Sequence, residues 1–123
     1  DVSSLSASAG GTQMLQLDAG TFSAGRTYWV LGSTSGTTPG IDIGGSVLPL
    51  KVPDPYFDFL LTHVNQPPLL NALGTLDASG RGTASYVVPP GSPALVGMTV
   101  HHAFLLLTPI DTASNAVSVV IGP

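Results

Sequence analysis

Glycine and proline punctuate this chain so densely that a long helix has nowhere to form. Fifteen Gly and eleven Pro are spread through 123 residues. Each Pro removes a backbone donor and each Gly weakens a helix interior. No window free of both that is longer than about a dozen residues shows a 3.6-residue apolar period. Short runs rich in β-branched and aromatic residues remain, bounded by turn residues at the spacing of an all-β protein.

The runs are expected as strands in chain order. Val2 to Ala9 is closed by Gly10-Gly11, and Thr12 to Asp18 alternates before Asp18-Ala19-Gly20. Arg26 to Ser33, holding Tyr28-Trp29-Val30-Leu31, reads as a central strand because both of its faces are apolar. After the loop Thr34 to Gly40 come the short pieces Ile41 to Ile43 and Ser46 to Lys51. Pro49 marks the latter as an edge or bulge. Tyr56 to Thr62 is expected as a strand stopped by Asn65-Gln66-Pro67-Pro68. Leu73 to Asp77 and Gly82 to Val88 flank Asp77-Ala78-Ser79-Gly80, a hairpin signal. Pro89 to Pro93 forms a crossover, then Met98 to Thr108 and Ala116 to Ile121 complete the set. The expectation is one all-β domain over residues 1–123: an Ig-like, Greek-key β-sandwich of eight or nine strands with no helix. A jelly roll is the alternative.

Charge narrows the function classes. Charged residues are 8% of the chain, seven acidic against three basic, for a net charge of -4. That balance excludes a nucleic-acid or anionic-membrane surface. No apolar run approaches membrane-spanning length, so no membrane insertion is expected. The absence of Cys excludes disulfide scaffolds, thiol catalysis and Cys-ligated zinc. Disorder is set aside by a mean hydropathy of +0.40 and the recurring apolar runs. The exterior must then be built of Ser, Thr, Gly, Gln and Asn, a surface more common outside the cell than within it. The start at Asp1 reads as a mature end left by signal cleavage. The expected location is extracellular or at the cell surface.

Several segments taken together carry a family likeness: GGTQMLQLDAG, YWVLGSTSGTTPGI, LGTLDASGRGTASYVVP, LVGMTVHHAFLLLTP and ASNAVSVVI. They resemble a domain of unknown function recurrent in secreted proteins of planctomycetes and similar bacteria, often at their C-terminal ends. The likeness covers nearly the whole chain and rests on turn chemistry and core alternation. It implies a secreted, non-catalytic, Ig-like β module. Such modules are usually appended to something larger, whereas this chain is expected to be the module alone.

The candidate constellations are few. His101, His102 and His63 are the one metal or acid–base candidate, but neighbours in a strand point to opposite faces, so His101 and His102 cannot share a metal. Among the Asp residues, Asp42, Asp54 and Asp58 are the least improbable calcium set. Asp77-x-Ser79-Gly80 lacks the later Asp and the bidentate Glu of a calcium loop. Asp18, Asp54 and Asp77 sit beside Gly or Pro, where bonding to turn backbone suffices. No Gly-x-Ser-x-Gly elbow is present, and a glycosidase pair would have to come from turn Asp residues. Tyr28, Trp29, Tyr56, Phe57 and Phe59 could stack on sugar, although their strands favour core packing. No catalytic residue, cofactor or metal is therefore assigned.

Two functions stay open. The first is a non-enzymatic structural subunit that self-associates into a fibre or surface layer through edges that lack defending charge; Lys occurs once, at Lys51. The second is a carbohydrate- or cell-surface-binding accessory module. For the first, the self-association residues are Val2, Leu5, Ala7 and Ala9, on an N-terminal strand over residues 1–10 that could exchange between copies. The expected core is Leu15, Leu17, Trp29, Leu31, Phe57, Phe59, Tyr86, Val88, Phe104, Leu106, Val117 and Val119.

Overall fold

A computed structural model describes residues 3–107 and 109–123, so Val2 of the expected self-association set lies outside the described residues. The protein is β-rich, with eleven strands in three sheets and one short helix among the described residues. The strands are β1 (Ser4–Ser6), β2 (Gly11–Asp18), β3 (Thr27–Ser33), β4 (Ile41–Asp42), β5 (Val47–Leu48), β6 (Leu69–Leu70), β7 (Leu73–Thr75), β8 (Arg81–Val88), β9 (Thr99–Leu106), β10 (Thr112–Ala113) and β11 (Val117–Gly122). The largest sheet runs β1-β11-β9-β3-β7, with β10 also on β9. The second runs β2-β8-β6, and β4 pairs with β5 alone. As expected, β3 is central, between β9 and β7.

The strand expected over Tyr56 to Thr62 is instead a helix, α1 (Pro55–Thr62), which corrects the no-helix expectation. Its start explains it. Asp54 is extended and its side chain accepts the Phe57 amide, while Pro55 brings a helical φ to the first position. Once capped, the eight residues Pro55–Thr62 suffice for two turns. Two 3-10 turns, Thr21–Ser23 and Pro93–Leu95, add to the helical content.

The Asp77-Ala78-Ser79-Gly80 turn forms: Gly80 N–H donates to the Asp77 carbonyl, and Asp77 Oδ1 accepts the Ser79 and Arg81 amides. Its flanking strands do not pair with each other, however. β7 joins β3, whereas β8 joins β2 and β6, so the expected hairpin is an arch between sheets. The Leu76 backbone exchanges bonds with Gly25 and Arg26, which holds the arch's first arm on the β3 side.

Directly paired residues share a sheet face, which separates the two faces of the largest sheet. Tyr28, Val30, Gly32, His102, Phe104 and Leu106 lie on one face, turned towards the second sheet, where Tyr86 meets His102. Leu31, Ser33, Ala103 and Leu105 lie on the other and are also buried. The segment before α1 covers part of that second face: Ser33 Oγ donates to the Lys51 carbonyl and β5 packs on β9. Leu48 and Leu50 of that segment are buried, while α1 packs on β3 with Tyr56 on the His102 side. This cover is why β3 and β9 read as apolar on both faces.

The buried side chains form one cluster. Of the expected core, Leu15, Leu17, Leu31, Tyr86, Val88, Leu106 and Val119 are buried. Trp29 is only partly buried, because Tyr28 and Val30 take the face towards the second sheet. Phe57 and Phe59 sit on α1, where the helical turn gives the deepest position to Leu60 and leaves Phe59 37% exposed. Phe104 is partly buried and Val117 is 45% exposed, because both border a groove.

Candidate functional site

Two hollows flank one aromatic septum. Gly32 makes the septum possible: a Cβ there would stand 2.5 Å from the Tyr56 ring and 2.8 Å from the His102 ring. With that space open, α1 reaches over β3, and Tyr56 Oη lies 2.8 Å from His102 Nε2. Tyr86, from the opposite sheet, packs on both, with ring centroids 4.8 Å from His102 and 6.1 Å from Tyr56. His102 is 2% exposed, and its Nδ1 has no hydrogen-bond partner among the described residues.

Burial sets the charge states. Desolvation, with a smaller contribution from His101, pushes the His102 imidazole down to about 3. Desolvation also raises the Tyr56 phenol, reinforced by Tyr86 and Asp54, and it raises Tyr86. Near neutrality the contact is therefore between an uncharged imidazole and an un-ionised phenol.

On one side of the septum, His102 lines a groove of about 200 Å³ with Leu15, Leu17, Val30, Phe104 and Val117. It lies between β2 and the place where β9 exchanges its partner β11 for β10. Gln16, Ser114 and Asn115 also line it, and no lining residue is charged. On the other side, Tyr56 and Tyr86 line a hollow of about 280 Å³ with Pro55, Pro68, Leu95 and Met98.

The structure separates the residues that sequence grouped together. His101 faces away from His102 and bonds Ser118 Oγ at 2.6 Å, while His63 stacks on Phe59 at 4.0 Å. Among the described residues no group of three or more His, Cys, Asp or Glu converges to hold a metal ion. Asp54 is 1% exposed, and its Oδ1 accepts the Thr34 amide and the Thr34 and Ser35 hydroxyls. Burial raises its pKa, but the hydroxyls and the Phe57 and Thr34 amides outweigh that, and the carboxyl titrates below the ordinary range. Asp42 and Asp18 accept the amides of Gly44 and Gly20, as turn residues do.

The aromatic set does not form a platform either. Tyr28 is buried and donates to the Asn71 carbonyl, Tyr56 is held in the septum, and Phe59 carries His63. Leu5 on β1 and Ala7 in the turn after it are buried, and Ala9 in that turn is exposed. β1 pairs in parallel with β11 of its own chain. The sequence put His101 and His102 on opposite faces of one strand but missed His102's partners, since Tyr56 was assigned to a strand. The Asp54-Pro55 pair, a capping residue before a first-turn proline, was the available signal.

No helix among the described residues is long and apolar enough to cross a membrane. Comparison with protein-family models, curated proteins and solved structures finds no match.

Proposed function

We propose that this protein is a non-enzymatic, extracellular structural subunit, an Ig-like Greek-key sandwich that self-associates through its strand edges. One observation carries the reading. The outer strands β1, β6 and β7 bear no charged residue, and the outer strand β2 bears only Asp18, paired with Arg81 at 3.3 Å. Monomeric proteins usually guard edges with Lys, Pro, inward charge or short length, and β2, at eight residues, is a long edge with no Lys or Pro. The only lysine, Lys51, lies outside the strands. The sparsely charged, hydroxyl-rich composition supports an extracellular setting and lowers the repulsion between copies.

The N-terminal strand is the segment suited to exchange. Three residues of β1 pair with β11, and Leu5 and Ala7 fill the core below them. Residues 1–10 of a neighbour would offer the same side chains and the same backbone bonds, in a head-to-tail arrangement that propagates. Deleting residues 1–10 tests this by light scattering and circular dichroism. A folded monomer supports exchange, continued polymerisation rejects it, and unfolding marks β1 as an ordinary strand of its own sheet.

A further inference from the structure

We propose that Phe22 of one copy seats in the β2-side groove of the next, an inference that rests on the self-association reading and adds a side-chain lock to it. Phe22 is 104% exposed. It is also firmly presented. Ser23 N–H donates to the Gly20 carbonyl, Ala24 N–H to Thr21, Arg26 N–H to Ser23 and Gly25 N–H to Leu76. Those bonds fix the 3-10 turn between two glycines, Gly20 and Gly25, at each of which an added Cβ would point into open space. A phenyl ring on an ordered turn loses little freedom when it docks, so most of its apolar burial remains available for binding.

The groove matches that ring in size and chemistry. Its volume is about 200 Å³, and an apolar cavity of about 150 Å³ accepts a benzene molecule. Leu15, Leu17, Val30, Phe104 and Val117 supply apolar walls, and His102 adds an uncharged aromatic ring. With no charge in the lining, a chain of net charge -4 meets no local repulsion there. Phe22 lies on the β2–β3 connection and the groove alongside β2, so the two surfaces differ. Contact between them is heterologous and leaves a Phe22 at one end and a groove at the other, ready for further copies.

Complementation of two defective chains tests the lock. Wild-type protein is followed by sedimentation velocity over a concentration series beside Phe22→Asp, which keeps the groove, and Val117→Arg, which keeps Phe22. Phe22 touches nothing that folding needs, and the half-exposed Val117 tolerates a larger side chain; equal melting temperatures confirm both. Asn115→Trp replaces Val117→Arg if the latter melts early. Each variant alone is expected to associate at least about tenfold more weakly than wild type. At concentrations where neither variant associates alone, an equimolar mixture is expected to form a one-to-one dimer, since a single junction is complete. Phe22→Asp assembling like wild type overturns the lock while leaving self-association in place. A mixture that stays monomeric also overturns it. Wild-type protein that remains monomeric throughout overturns both the lock and the reading beneath it.

Discussion

Tyr56 Oη and His102 Nε2 stand 2.8 Å apart across a gap that exists only because residue 32 is glycine. The contact ties α1 to a histidine of β9 on the face that looks towards the second sheet. Tyr56→Phe keeps the ring and removes the hydroxyl, leaving a buried imidazole nitrogen without a partner. The expected cost is about 1–3 kcal/mol, read from urea unfolding. A variant as stable as wild type would show the bond to be energetically idle.

The same imidazole makes stability depend on pH. Its folded value of about 3 lies below the unfolded value of 6.5, so the unfolded chain takes up the proton first. Stability is then complete above the unfolded value and declines as pH falls towards the folded one. His102→Gln cannot titrate, and its melting temperature is expected to stay flat between pH 6.5 and about 4.5, where wild type declines; carboxylates dominate below that. Parallel melting curves for the two proteins in this range would refute the assignment.

Burial along the inner face of the largest sheet predicts an asymmetry between two aliphatic positions. Leu106 is 0% exposed and Val117 is 45% exposed. Leu106→Ala is expected to cost about 2–5 kcal/mol, and Val117→Ala within about 0.5 kcal/mol of nothing. Chemical denaturation of both variants checks the faces and the position of the groove together.

Much of the sheet structure was legible in the sequence because period-2 alternation is local. β3 and β9 fall within the runs marked by apolar residues and turns, and β2, β8 and β11 overrun theirs by one residue each. What failed had two causes. Phe57 and Phe59 read as strand residues because a run of seven fits either period. The deciding signal, Asp54 capping the Phe57 amide ahead of Pro55, was local but overlooked. The other failures depended on distant partners. The Asp77 turn was recognised, yet its local chemistry is silent on whether the two arms share a sheet. Tyr28 against Trp29 could not be ordered because the second face of β3 is buried too, with Leu31 and Ser33 under the segment that carries Lys51. For the candidate site, His102, Tyr56 and Tyr86 were each singled out as residues, and the contacts that join them were not.

Asp54 offers the most severe test of how the cover is held. Its carboxylate accepts two amides and two hydroxyls, from Thr34, Ser35 and Phe57, and so joins the end of β3 to the start of α1. Losing a helix cap costs about 1 kcal/mol, and each buried donor left without an acceptor adds about 1–3 kcal/mol. Asp54→Ala is therefore expected to remove several kcal/mol, a large part of the 5–15 kcal/mol typical of a folded domain. Asp54→Asn keeps one acceptor oxygen but turns donors towards the Phe57 amide, so an intermediate loss is expected. Because donors already converge on this carboxylate, a cation would have to displace them, and EDTA is expected to leave the wild-type melting temperature unchanged. A fall of several degrees on chelation would instead make Asp54, with Asp42 and Asp58, a calcium site.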